Sequence, residues 1–273
     1  AGKRVLVVGS SFIGMEVAAT LRRRGCEVTV LGREGVPFER VLGQRLGESM
    51  KALFESRGVK FIGEVVLSEL RRSGEGLEAG LEGAAALQCD AVIVGVGVVP
   101  NTDFVKGLDK ASDGSILTDE CLQTSDPDVF AAGDLATYKV QPLGQSRRVE
   151  HWDVAMSQGR VAAKNMLGGG DCFDATPFFW TSLFGRNLRY VGYCMEFDEL
   201  IVDGDLQALN FVAYYCLKGI VCAVATMARD PIAVAAGELM RMGRMPTAED
   251  LKTREAPTWG LVEELQRLSC ADS

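Results

Sequence analysis

Six residues at positions 9–14, Gly9-Ser10-Ser11-Phe12-Ile13-Gly14, have the types and spacing of a turn that cradles a phosphate. A glycine at 9 permits the tight exit from a strand. Ser11 stands where a backbone must approach a diphosphate, and Gly14 lets the following helix pack closely on that strand. The N-terminal amides of that helix then face the negative charge. Phe12 and Ile13 lie within the same turn and count with it as nucleotide-binding candidates. The middle position departs from the usual glycine: a Cβ at Ser11 narrows the approach, although its hydroxyl can donate to a phosphate.

A second departure lies about 20 residues on. The acid that holds the ribose of NAD is expected at the end of the second strand, where the chain reads Leu31-Gly32-Arg33-Glu34. Gly32 has nothing to offer a ribose, and Arg33 suits a 2′-phosphate. Local chemistry therefore leaves NADH and NADPH both open.

Other chemistries have little material. His151 is the sole histidine, and none of the eight cysteines forms a Cys-x-x-Cys pair. This disfavours zinc, a Ser–His–Asp hydrolase and an adjacent dithiol relay, so no metal ligands are assigned. The thiols read as buried structural residues of a reducing compartment. A net charge of −8 argues against non-specific nucleic-acid binding. No apolar run is long enough to span a bilayer, and no signal peptide opens the chain.

The elements that must position the turn are legible. Lys3–Gly9 is an apolar β-branched run, Ser11–Arg24 has helical spacing and Glu27–Leu31 is a second such run, completing a βαβ unit. Glu39–Ser56 reads as a helix and Val59–Ile62 as a strand. Residues 64–88 suggest a β-meander, and Asp90–Val99 a buried strand. Ile116–Thr118 and Val129–Gly133 read as short strands, followed by a helix over His151–Leu167. Gly168-Gly169-Gly170 is a linker. Beyond it, strands are expected at Phe178–Leu183, Leu188–Tyr193, Leu209–Leu217 and Ile220–Thr226, with a hairpin turn at Lys218-Gly219. Helices are expected at Asp230–Met242 and Ala248–Lys252.

Together the motifs resemble a family. Val7–Ala18 resembles the nicotinamide-binding segment of flavoproteins with two dinucleotide-binding domains. Asp90–Asn101 is similar to the segment that leaves that domain, and Thr118–Asp134, ending Ala131-Ala-Gly-Asp134, to the second flavin motif. Glu150-His-Trp152 and Pro177-Phe-Phe-Trp-Thr181 are similar to the ferredoxin-reductase and apoptosis-inducing-factor branch of the pyridine nucleotide-disulfide oxidoreductases.

The resemblance implies an α/β fold in three parts: a Rossmann-like NAD(P)H-binding domain over residues 1–97, the returning part of an FAD-binding domain over 98–167, and a C-terminal α+β domain over 171–273. It places Gly9, Ser11, Gly14, Gly95 and Gly97 about the nicotinamide dinucleotide, and it makes Glu16 an acid near the nicotinamide and the catalytic candidate. Asp134 then binds a ribityl hydroxyl of FAD beside Gly133, and His151, Trp152 and Trp180 lie by the flavin ring. It further implies FAD and NAD(H) as cofactors, with NADP(H) open, and an iron–sulfur protein or domain as electron acceptor. A mitochondrial setting and a link to apoptosis follow from the branch; otherwise the location is cytoplasmic. A homodimer is one open state of assembly.

The family's first flavin motif precedes the nicotinamide domain and is absent from this sequence, which is expected to be a fragment and inactive alone. Two other readings stand beside the enzyme: a signalling protein using the fold as a ligand-binding scaffold, and a dehydrogenase without flavin. The latter requires acid–base residues after Gly170, where histidine is missing.

Overall fold

The computed structural model describes residues 2–253 and 259–271. Its contacts divide the chain into two compact units. The first comprises Ala1–Gly97, Thr181–Leu188 and Leu206–Leu209; the second comprises Val98–Trp180, Arg189–Asp205 and Asn210–Ser273.

The first unit is built on β1 (Arg4–Val8), α1 (Phe12–Arg23), β2 (Glu27–Leu31), α2 (Glu39–Ser56) and β3 (Lys60–Ile62), then β4 (Leu67–Ser73), β5 (Gly76–Leu81), β6 (Ala84–Cys89) and β7 (Ala91–Val94). The four-stranded sheet has the order β3-β2-β1-β7 and is parallel throughout, with Val7 paired to both Val30 and Ile93. Strand β1 is central, which explains why Val5, Leu6 and Val7 are all buried rather than alternating. The expected meander is the antiparallel sheet β4-β5-β6. Helix α2 has the expected bounds but is interrupted at Gly43, whose φ of 74° and ψ of 170° break the helical path.

The strand expected over Asp90–Val99 is shorter. Pairing to β1 stops at Val94, after which residues 95–100 run on outside any strand. A larger correction concerns Val129–Gly133, which is not a strand. Only Phe130 makes an isolated bridge, to Gln123, and Gly133–Leu135 is a turn of 3-10 helix. From this loop Ala131 is buried beside Ile116 and Ala136, and Phe130 and Ala132 pack partly on the neighbouring core, while Val129 stays exposed.

In the second unit, β8 (Ile116–Leu117), β9 (Ala136–Val140) and β10 (Gln145–Arg148) form a sheet in the order β10-β9-β8, followed by α3 (Trp152–Met166). A five-stranded sheet follows: β11 (Phe178–Leu183), β12 (Arg186–Gly192), β13 (Glu199–Asp205), β14 (Asn210–Leu217) and β15 (Ile220–Met227), ordered β11-β12-β15-β14-β13. Lys218 and Gly219 both have positive φ, 52° and 80°, the requirement of the two-residue turn that joins β14 to β15. Helices α4 (Ile232–Arg241), α5 (Ala248–Thr253) and α6 (Trp259–Ala271) complete the chain. Ile232, Ala236 and Leu239 of α4 pack with Val212, Tyr214 and Val224 in the core of this unit. Among the described residues, no helix is long and apolar enough to cross a membrane.

Candidate functional site

In the first unit, the candidate feature is a column of three glycines at the C-terminal end of β1. Gly9 has φ of 112° and donates its N–H to the Leu31 carbonyl at 2.9 Å, while the Gly95 N–H donates to the Val8 carbonyl at 2.7 Å. A Cβ on Gly9 would lie 2.1 Å from the Gly95 oxygen, and one on Gly14 would lie 2.0 Å from the Gly9 oxygen. Any side chain at these two positions would push apart α1, β1 and the segment after β7. Here the fold brings Gly95 against Gly9 and Gly14, more than 80 positions earlier in the sequence.

Helix α1 starts at this column. Ser11 is its N-cap residue in extended conformation, but its hydroxyl makes no capping bond. A helix start without a side-chain cap keeps its orphan amides for an outside acceptor, and the helix dipole favours an anion there. Ser11 is exposed, and Ile13 is 66% exposed. The ring of Phe12 instead packs on Phe38, with centroids 5.0 Å apart, so only the backbone of Phe12 is left to address a ligand. Gly97 has φ of 110° and nothing near a hypothetical Cβ, which leaves room beside the turn.

The structure gives a reason for the missing acid after β2. A Cβ at Gly32 would come within 2.8 Å of the Ser10 hydroxyl and 2.9 Å of the Phe61 ring. The space is filled, and Arg33 is the exposed polar residue next along the chain. Glu16, on the first full turn of α1, accepts a 2.5 Å hydrogen bond from the hydroxyl of Thr181, which is itself buried. This bond fixes one carboxylate oxygen of Glu16 and links residues 165 positions apart, a relation that spacing alone could not reveal.

In the second unit, the candidate feature lies where β9 begins. Gly133, with φ of 81°, opens the turn that presents Asp134. The Gly133 N–H donates to Oε1 of Gln158, on α3, at 2.7 Å. Arg148 supports the same turn. Its guanidinium donates to the Asp134 backbone carbonyl at 3.2 Å and to Asp113 at 2.8 Å, and it pairs with Glu150. Asp113 in turn accepts from the Ser115 hydroxyl at 2.6 Å, and that hydrogen bond, with the Arg148 contact, holds its carboxyl at about 2. Gln158, Arg148 and Asp113 are not among the candidates read from the sequence; Gln158, at helical spacing from Val154 and Ala162, is the available signal.

The carboxylate of Asp134 makes no hydrogen bond or ion pair among the described residues. Partial burial, and then the nearby Glu150, push its pKa upward. His151 is the N-cap residue of α3. Its ring packs on Phe179 with centroids 4.5 Å apart, its Nδ1 is sealed without a partner among the described residues, and burial depresses its pKa to about 4. The indoles at 152 and 180 remain 70% and 55% exposed, the latter beside Phe178. Among the described residues, no group of three His, Cys, Asp or Glu side chains could hold a metal.

The pyridine nucleotide-disulphide oxidoreductase family matches residues 1–159, and a reductase C-terminal family matches residues 178–259. The chain belongs to the pyridine nucleotide-disulphide oxidoreductase family. It is 41% identical over 247 residues to apoptosis-inducing factor 3 of Homo sapiens, an alignment that covers 89% of this chain and 41% of that protein. The anthranilate 1,2-dioxygenase system ferredoxin–NAD(+) reductase component of Burkholderia cepacia is 32% identical over 264 residues, covering 95% of this chain and 64% of the relative. Among solved structures, the ferredoxin reductase for the CYP199A2 system from Rhodopseudomonas palustris superposes with a TM-score of 0.84 at 30% identity, covering 90% of this chain and 61% of that one. The chain thus spans roughly two-fifths to two-thirds of the length of these relatives.

For this oxidoreductase family, a free carboxylate beside a glycine turn and a second glycine turn at an uncapped helix start fit nucleotide cofactors in donor set and in clearance. The sealed Nδ1 of His151 is a further polar atom awaiting a partner.

Proposed function

We propose that the chain contributes the pyridine-nucleotide domain and part of the flavin domain of an NAD(P)H-dependent flavoprotein oxidoreductase that passes electrons to a ferredoxin-type iron–sulfur acceptor. The ferredoxin reductases among its relatives support the acceptor class. The single observation that carries the reading is the Gly9–Gly14–Gly95 column at the uncapped start of α1.

When bound, the two cofactors supply the redox step, hydride transfer from the dihydronicotinamide to the flavin. The residues of this chain bind and orient. The α1 amides and Ser11 take the diphosphate, and Gly97 gives clearance beside it. Arg33 addresses the ribose end, and Glu16, held by Thr181, presents a fixed carboxylate toward the nicotinamide. Asp134 accepts from a ribityl hydroxyl on a turn held by Gln158 and Arg148. His151, Trp152 and Trp180 line the flavin ring. The residue spans 1–97, 98–167 and 171–273 serve as nicotinamide, flavin and C-terminal domains in this reading.

The test is cofactor binding. Calorimetric titration of the chain with NADH and with NADPH should give saturable binding that Gly14→Val abolishes; no binding of either nucleotide to the folded chain overturns the reading. In FAD-loaded protein, Asp134→Ala should lower flavin retention, and unchanged flavin content would remove that assignment.

Likeness to human apoptosis-inducing factor 3 supports a second reading, a mitochondrial cell-death protein in which the same fold is a ligand-sensing scaffold with little turnover. Partner binding that survives an emptied flavin site favours the scaffold. Bleaching of bound flavin by NADH, followed by reduction of a ferredoxin, favours the enzyme.

A further inference from the structure

Eight cysteines without a paired motif give no hint of thiol chemistry, yet the fold juxtaposes two of them at an accessible place. Cys121 lies in the loop before Gly133, and Cys172 lies in the segment between α3 and β11. The Cys121 thiol lies within interaction reach of the Cys172 thiol. The backbone fixes this pairing: the Phe173 N–H donates to the Glu120 carbonyl at 2.8 Å. Together with the bonds of Asn165, it sets residues 120–121 beside residues 171–173.

The Asn165 side chain ties the two segments together. The Asn165 amide donates to the carbonyls of Cys121 and Asp171, each at 2.8 Å, and its oxygen accepts from the Asp171 N–H at 2.7 Å. Leu122 and Phe173, the next residue after each cysteine, pack into the same core cluster with Tyr138 and Val154. Cys172 is exposed and Cys121 half-buried. The other close thiol pair, Cys194 with Cys222, is only 3% and 0% exposed and is sealed from solutes.

We propose that Cys121 and Cys172 form a reversible disulfide on exposure to a hydroperoxide, tying the 168–177 linker to the loop that carries Gly133 and Asp134. The thiolate of Cys172 attacks the peroxide, forming an S–O bond as the O–O bond breaks. Its sulfur is oxidised by two electrons to a sulfenic acid, and hydrogen peroxide leaves its second oxygen as water. Cys121 then attacks that sulfur, forming the S–S bond and expelling hydroxide, which takes up the Cys121 proton as a second water. Cys172 is the exposed thiol and so the first nucleophile, while burial, and then the neighbouring Cys172, raise the pKa of the Cys121 thiol, which resolves. A dithiol reductant reverses the process by exchange.

The whole chain should be treated with hydrogen peroxide and digested with trypsin without reduction. The tryptic peptides Ala111–Lys139 and Asn165–Arg186 each hold one cysteine, so a linked species of these two is diagnostic. It should form in the wild type and in Cys270→Ser, be absent in Cys121→Ser and Cys172→Ser, and disappear with dithiothreitol. The oxidised wild type should melt on the order of several degrees higher than the reduced form. Cys172 found as sulfinic acid beside a free Cys121, Cys172 linked to any other cysteine, or a disulfide that leaves the melting temperature unchanged would each overturn the proposal. The wild-type digest alone decides the linkage if a serine variant fails to fold.

Discussion

The Gly133 N–H donates to Oε1 of Gln158 at 2.7 Å, and Gln158 is completely buried. Because an N–H can only donate, the bond fixes which way the amide points, and its Nε2 is left inside without a partner among the described residues. Gln158→Leu deletes the acceptor and orphans the Gly133 N–H, at a cost of about 1–3 kcal/mol. Chemical denaturation should show that loss, together with weaker flavin retention than in the wild type. Equal stability would mean that the turn finds another acceptor.

At Gly14 the constraint is steric. Gly14→Ala places a carbon where the Gly9 carbonyl oxygen already is. The first turn of α1 must lift from β1, costing about 1–3 kcal/mol as overpacking does. The Kd for NADH should rise in calorimetric titration, while far-UV circular dichroism stays close to wild type.

Arg33 is the exposed cation after a glycine that has no room to become an acid. Arg33→Ala should weaken NADPH binding roughly tenfold through the lost charge-assisted contact and leave NADH binding within about twofold. Equal loss for both nucleotides would detach Arg33 from the 2′ position.

His151 makes stability depend on pH below neutrality. Burial lowers its folded pKa to about 4, against about 6.5 in an unfolded chain. Between these values the unfolded state binds the proton and the folded state does not, so stability falls as pH falls from about 6.5 toward 4. The slope is at most about 1.4 kcal/mol per pH unit, and it levels off below the folded value. His151→Gln should flatten this window in urea titrations at stepped pH. The carboxyls of Asp90 and Asp113, held at about 2 by Arg4 and by Ser115 with Arg148 respectively, act lower. Their contribution is present above about 3.9 and is lost as pH drops toward 2.

Local order makes the glycine turn readable. Strand β1, the glycine turn and α1 follow one another without interruption, and Glu27–Leu31 and Glu39–Ser56 have their predicted limits in the structure. Strands β9 and β10 escape a pattern reading because Ala136–Val140 is short and carries Thr137 and Lys139, and Gln145–Arg148 has no apolar residue. The β13 segment, Glu199–Asp205, ends in Asp-Gly-Asp and reads as a loop until it pairs with β14. Val129–Gly133 misleads in the opposite direction: Phe130, Ala131 and Ala132 pack on a core from a loop. The supports of the site, Thr181 for Glu16 and Gln158 for Gly133, depend on contacts between remote segments, which no periodicity encodes.

The glycine column also limits where the protein can yield when a nucleotide arrives. Peptide planes at 9, 14 and 95 rest directly on one another, so this seat has no compressible layer of side chains to absorb displacement. Adjustment is therefore delegated to the rotamers of Ser11, Ile13 and Arg33, and amide exchange in the seat should already be slow before any cofactor is added.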